Sequence, residues 1–537
     1  MLRRILLFVV MCWAWSGGAL LAGDGVSAEI DRRLAEEVFA KHAGPMLAPR
    51  TSDEIFLRRV YLDLVGQPPT PDEVREFVRD TSEGKRSAKI AALVADPRFG
   101  VNAANYWRDV LLARAQTTGE GPSMDLAATE AWFALQFNAN APWDQMVRSM
   151  IQAEGPVRDK GEGALFLAQR FSDVAIAGEV SRIFLGIQIQ CAECHDHPTD
   201  GWKRQQFHEL AAFFPRVGIM RFERTPGRGE QKLASYDSGP QERTQRTRFV
   251  GVPQHYMPDL RDPASPGTLI EPAFFLNGQR LKSEATDAER RQAVSQWLTA
   301  RENPWFSKAF VNRLWAELVG EGFQEPVDDL GAGRECASPL TFEYLATQFA
   351  DRRYDIKWLY QTVLETAAYQ RESRPRRQPS GAPFAANVPQ PLRADQFAAV
   401  LSQAIGQDVV GSRQGQGGQY PYLVMSPLQK LFSYDPSVRR DEIAGTIPQV
   451  LLLMNSDVVN RAVNATDDRS VLGKLLKAAG SDHEAVTALY LQVLSREPSQ
   501  PETKVCLDYL KAAENHGQGC EDLYWTLLNS EELRYRN

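Results

Sequence analysis

Along most of this chain, apolar residues recur three and four positions apart between successive prolines, a pattern that commits it to helices. Thr51-Ser52-Asp53 opens a helix over 54–64, with Ile55, Phe56, Val60, Leu62 and Leu64 apolar, and Gly66-Gln67-Pro68-Pro69 stops it. Thr70-Pro71-Asp72-Glu73 then starts the next helix. It supplies a hydroxyl at the cap, a proline in the first turn, and a glutamate that returns to the cap backbone. Further helical periods cover 29–48, 87–95, 101–115, 127–138, 143–151 and 202–214, with breaks at Asp96-Pro97, Ala141-Pro142 and Pro215. Over 216–285 the period fades, Gly, Pro, Arg and Ser rise, and short β-like runs occupy 246–252 and 268–276. Helices resume over 289–300, 305–319, 339–349, 356–366, 394–405, 446–454, 471–479, 483–494, 501–513 and 520–529. The Gly- and Gln-rich stretch 411–422 reads as a loop. The expected fold class is therefore mainly α, with helical domains at 29–215 and 286–537 joined by a partly β, loop-rich connector at 216–285. Tyr61-Leu62-Asp63-Leu64 and its proline turn are echoed by Tyr490-Leu491-Gln492-Val493 and Pro498. Shared helix–turn chemistry explains this as well as duplication does.

The first 28 residues have the layout of an export signal. Arg3 and Arg4 precede an apolar run from Ile5 to Trp15, and small residues end in Val26-Ser27-Ala28 or, alternatively, Leu20-Leu21-Ala22. The run is short for an uncleaved anchor, and no other stretch is apolar enough to cross a bilayer. The expected location is outside the cytoplasm, periplasmic or extracellular, with no membrane span after cleavage. Formal net charge is −7 over 537 residues, and loss of 1–28 removes two positive charges and one negative, leaving −8. That mild acidity argues against non-specific nucleic-acid binding.

The densest chemistry lies at Cys191-Ala192-Glu193-Cys194-His195-Asp196-His197-Pro198. Two cysteines three apart with a histidine after the second form the pattern of covalent c-type haem attachment. Two thiols one turn apart reach the vinyl groups on one porphyrin edge, and the next residue presents an imidazole to the iron. Upstream, Ile176, Val180, Phe184 and Ile187 fall at helical spacing and Cys191 and Cys194 continue the stripe. The motif is thus expected in the last turn of a helix, before Pro198. Cys191, Cys194 and His195 are the candidate haem-binding residues, with His195 on the metal. Met220, His255, Met257, His208 or water could fill the sixth position. Trp202, Phe207, Phe213 and Phe214 could line a flat ring, though aromatics at helical spacing are usually core.

Two other chemistries suit the same residues. Cys191 and Cys194 can pair as a disulfide in an oxidising compartment, leaving a structural or redox cysteine pair. Alternatively, Cys191, Cys194, His197 and His208 offer the two sulfurs and two nitrogens of a zinc site. Of the remaining cysteines, Cys506 and Cys520 lie on adjacent helical patterns and could pair, with Cys336 left single. Asp328-Asp329 with Gly331 and Gly333 reads as a solvated turn rather than a calcium site, and Asn312 and Arg313 as buried polar anchors inside a helix. The chain has no Gly-x-Ser-x-Gly elbow, phosphate-binding loop, dinucleotide fingerprint or His-Glu-x-x-His helix.

Long stretches of the sequence carry a family resemblance. FLRRVYLDLVGQPPTPDEV, DPRFGVNAANYWRDVLLARA and FLGIQIQCAECHDHPTDGWKRQQFHELAAFF in the first half resemble the exported planctomycete proteins with a cytochrome-like DUF1549 (PSCyt2) domain. NPWFSKAFVNRLWAELVGEGFQEPVDDLG, DIKWLYQTVLETAAYQRES, PLRADQFAAVLSQAIG and IPQVLLLMNSDVVNRA in the second half resemble their DUF1553 (PSD1) domain. The resemblance implies export and a single c-type haem on Cys191, Cys194 and His195. It departs at His208, a position usually aromatic in similar proteins. The function it leads us to expect is an exported cytochrome-like carrier exchanging electrons with a redox partner protein. The alternative is a non-redox cell-envelope scaffold that binds an envelope component and whose cysteine site is structural, holding zinc or nothing.

Overall fold

Side-chain caps set the helix starts. Thr70 accepts from the Glu73 amide while the Glu73 carboxylate returns to the Thr70 amide, and Pro71 opens the helix Pro71–Arg79. The same reciprocal pair recurs at Thr286 and Glu289 and at Ser499 and Glu502, and each places a helix start where the sequence puts it. The computed structural model describes residues 25–41, 47–115, 124–157, 160–222, 230–238, 247–250, 252–331, 333–375, 381–409, 427–443 and 445–537. It is mainly helical with few short strands, as the periodicity predicts. Most of the leader and the 411–422 loop lie outside the described residues. Among the described residues no helix is long and apolar enough to cross a membrane.

One apolar core runs from Val26 to Phe384, takes in Leu491, and so draws on both halves. At its centre Trp107 stacks on Phe310 (5.5 Å between centroids) and packs on Trp143 (4.4 Å), which also meets Phe184 (6.0 Å). A second core spans Leu392 to Leu533 and takes in Leu62 from the first half. Val26 is buried in the first core and Ser27 donates to the Thr362 carbonyl at 2.9 Å. Cleavage after Ala22 would preserve these contacts, and cleavage after Ala28 would remove them.

The connector forms an antiparallel sheet. Strand Val217–Phe222 pairs with Glu230–Ser235 on one side and Thr247–Val250 on the other, and Gly155–Pro156 caps the far edge. Tyr256–Met257 pairs separately with Thr268–Leu269, so the β-like run expected to reach 276 is much shorter. Cys506 and Cys520 are free thiols rather than a pair. One faces the Tyr490 hydroxyl (3.9 Å), and the other lies near His516 (4.0 Å).

The turn at Asp328-Asp329 is also unlike its expectation, since both carboxylates are buried. Asp328 accepts from Arg182 (2.9 Å), Arg114 (3.3 Å) and Gln188 (3.0 Å), and Asp329 pairs with Arg334. Burial alone would raise the Asp328 carboxyl, but the guanidiniums of Arg313 and Arg182 outweigh it and hold the group below its ordinary range. Asn312 and Arg313 anchor the adjoining helix as expected. Asn312 bonds both the amide and the carbonyl of Gln324, and Arg313 donates to Ser437.

Replacing Asp328 by Ala leaves Arg182 short of a carboxylate in the interior, and about 3–5 kcal/mol of stability should be lost. Urea unfolding followed by far-UV circular dichroism measures this.

Candidate functional site

The helix leading to the motif is Asp173–Leu185, and Ile176, Val180 and Phe184 are buried along it as the sequence predicts. The helix does not reach the cysteines. Gly186 adopts φ +65° and its amide bonds back to the carbonyls of Arg182 and Ser181, which ends the helix one turn early. A Cβ at Gly186 would lie 2.8 Å from Leu330, whose own amide donates to the Gly186 carbonyl at 2.6 Å. The chain re-enters as a 3₁₀ turn, Ile189–Ala192.

That change of period corrects the expected burial of the cysteines. In a 3₁₀ turn residues three apart share a face, so Ile189 and Ala192 point inwards and are fully buried. Cys191, inside the turn, and Cys194, two residues past its end, are exposed free thiols, not a continuation of the buried stripe and not a disulfide. His195 is exposed too. Its Nδ1 lies 2.7 Å from the Asp196 carbonyl, which can only accept, so Nδ1 carries a proton and Nε2 is the nitrogen left to bind a metal when the ring is neutral. The Arg204 amide and the Lys203 ammonium bond the Asp196 carboxylate and hold it below its ordinary value. The second half closes one flank. The Asp200 carboxylate lies against Gly331, where a Cβ would come within 2.5 Å of it, and Arg334 is near enough to sense both Asp200 and Cys191.

Two exposed thiols three residues apart and an exposed imidazole directly after them make a donor set that fits covalent c-type attachment. The zinc set does not assemble. His197 Nδ1 accepts from the Asp200 amide (2.9 Å), both nitrogens of His208 are engaged elsewhere, and no group of three His, Cys, Asp or Glu ligands converges among the described residues. Of the sixth-ligand candidates, His208 and His255 have no free ring nitrogen and Met220 is buried in the sheet. The aromatics are core. Phe207, Phe213 and Phe214 are fully buried, and Trp202 meets Phe275 and Trp305 edge-on.

What the sequence did not disclose lies beneath the motif. His208 Nδ1 is 2.9 Å from His255 Nε2, His255 Nδ1 is 2.7 Å from the Asp173 carboxylate, and His208 Nε2 is 3.0 Å from the Glu193 carbonyl. Asp173 and His255 are 82 residues apart, and no local pattern links them. Burial pushes the His208 imidazole down to about 4. The Glu193 carbonyl opposes that shift and His255 adds to it.

Stability should therefore depend on acidity. Between pH 6.5, where an ordinary histidine charges, and about 4, where buried His208 does, the unfolded chain binds a proton that the folded chain refuses. The stability is complete above 6.5 and declines as the pH falls towards 4. His208→Phe should flatten that part of the slope in urea midpoints measured across this range.

Residues 29–218 match the family PSCyt2, described as a protein of unknown function (DUF1549), and residues 290–415 match PSD1, described likewise (DUF1553). No curated protein and no solved structure matches the chain. The matched segments follow the order of the two halves described above. The chain belongs to the family that joins a DUF1549 domain to a DUF1553 domain.

Proposed function

We propose that this is an exported electron carrier with one haem, held through thioethers at Cys191 and Cys194 and ligated by His195. The observation that carries the reading is the pair of exposed free thiols, one in the 3₁₀ turn and one just past it, followed by an exposed imidazole held at Nδ1. Each thiol adds across one vinyl group, sulfur to one carbon and hydrogen to the other, so attachment needs no outside oxidant. A bound haem supplies one reversible electron at its iron. The chain's own residues then have distinct tasks. Cys191 and Cys194 fix the edge of the ring. The Asp196 carbonyl holds the His195 ring by its Nδ1–H and keeps Nε2 directed outwards. Arg204 and Lys203 hold Asp196 in turn, so the loop keeps its shape whether or not anything is bound. The leader, with Arg3 and Arg4 ahead of an apolar run, supports delivery to a compartment where such attachment takes place and where a partner protein exchanges the electron.

Gly186 sets the site's direction, and Gly186→Ala should cost about 1–2 kcal/mol through the left-handed backbone alone. The clash with Leu330 should add to this, and both effects are read in the thermal midpoint.

The direct test is expression of the full chain, leader included, in a bacterium with cytochrome c maturation. We expect a haem that survives acid–acetone extraction, one per chain by pyridine haemochrome. Cys191→Ser should leave a single thioether and shift the reduced α band to the red, and the double Cys191→Ser, Cys194→Ser variant should carry none. An exported, folded wild type without covalent haem, alongside a control cytochrome that matures, would overturn the reading in favour of the scaffold.

A further inference from the structure

The Glu193 carbonyl, between the two cysteines, is held from below by two groups. His208 Nε2 lies 3.0 Å from it and Arg204 Nε 3.2 Å. Both holds lead back to the connector. His208 Nδ1 meets His255 Nε2, with the rings stacked at 5.1 Å and 24°, and Arg204 Nη2 donates to the Pro258 carbonyl at 2.6 Å. The line ends at Asp173, the first residue of the helix that leads to the motif. Both histidines are buried, His208 to 1% and His255 to 4% exposure, so their hydrogen-bonding groups must satisfy one another.

Two hydrogen arrangements satisfy the line, and they agree at both of its ends. A carbonyl oxygen accepts and never donates, so His208 carries a proton on Nε2 in each. Burial keeps the His208 ring neutral, so its Nδ1 offers a lone pair. That lone pair needs a donor, so His255 is protonated on Nε2. His255 Nδ1 faces a carboxylate oxygen at 2.7 Å, and a contact that short between two acceptors requires one more proton between them. The charged groups around His208 are consistent with this. Arg204 lies on its own helix, His255 and Asp173 come from the other two elements, and the Glu193 contact is through the backbone.

We propose that His208 is a positioning residue for the cysteine–histidine segment, locked in its Nε2–H form by a proton kept between His255 and Asp173. The lock acts on the peptide between Cys191 and Cys194, and so on the spacing and direction of both thiols. His255 thereby controls the site without touching it, from a connector 60 residues further along the chain than His195. The inference rests on Cys191–His195 being the functional segment, but its test needs no haem.

The full chain is produced without maturation factors and labelled with 15N-histidine. Long-range imidazole spectra should show His208 protonated at Nε2 and bare at Nδ1, and His255 protonated at both nitrogens. Amide hydrogen exchange at Cys191 and Glu193, whose N–H groups bond the Gln188 and Gln190 carbonyls, reports how firmly the segment is held. His208→Phe should speed exchange about tenfold, which corresponds to losing one hydrogen bond from a local opening equilibrium. His208→Gln, whose amide N–H extends towards Glu193, should restore the slow rate. His255→Phe should speed exchange too, and it carries the test if His208→Phe does not fold. A His208 protonated at Nδ1, equal rates in the Phe and Gln variants, or an unaltered rate in His255→Phe would overturn the proposal. Because these readouts use the chain without haem, absence of haem in the maturation experiment would leave their outcome standing.

Discussion

A guanidinium buried to 2% exposure has to find a partner for every N–H, and Arg182 finds its partners in four separate parts of the chain. Nε and Nη2 bond Glu179 on its own helix, and Nη2 also reaches the Val110 carbonyl on the helix Arg98–Leu112. Nη1 bonds both Asp328 and Ser437. Burial acts to lower its pKa, but the carboxylates of Glu179 and Asp328 raise it further, so the side chain stays charged. The first half of the chain, the Asp328 turn and the Ser437 segment can satisfy this one side chain only in a single relative arrangement. The aromatic contacts among Trp107, Trp143, Phe184 and Phe310 contribute apolar area to the same seam but are less directional. The polar network therefore sets the register and the aromatic packing supplies the bulk of the burial.

The motif inherits its position from that network. Arg182 is one turn from the end of its helix, and Asp328 is two residues before Leu330, whose side chain fills the space beside Gly186 and whose amide caps its carbonyl. The same residues thus anchor the helix and close it. With Ile187, Ile189 and Ala192 buried immediately afterwards, the short 3₁₀ turn has one inward face, and Cys191 on it and Cys194 just past it are left exposed.

The helices were legible because their signals are local. A cap such as Thr70 with Glu73, or a proline at the first turn such as Pro304 or Pro339, acts within four residues. The donors Cys191, Cys194 and His195 were legible for the same reason. Their setting was not, because an unbroken apolar period ran through Gly186 and outweighed the one residue that ends the helix. Asp328 looked like part of a solvated turn because Arg182, which buries with it, lies 146 positions earlier, whereas the partner of Asp329, Arg334, is only five residues on. The His208–His255–Asp173 line was hidden by the same kind of distance. His255 was weighed as an iron ligand, whereas both of its nitrogens are committed inside the fold.

These distances also explain why the site is firm without being enclosed. Most of the bonds that hold the segment end on backbone atoms: the Glu193 carbonyl, the Asp196 carbonyl, the Gly186 carbonyl and the Arg204 amide. Backbone anchors fix the loop and leave its outward side chains uncommitted, so Cys191, Cys194 and His195 remain available for whatever meets that face. A buried site lined by side chains would have fixed its ligand by shape. On an exposed face, that task falls, in the proposed reading, to the geometry of three donors, which requires a rigid support beneath them. A pair of buried histidines with every ring nitrogen hydrogen-bonded provides such a support.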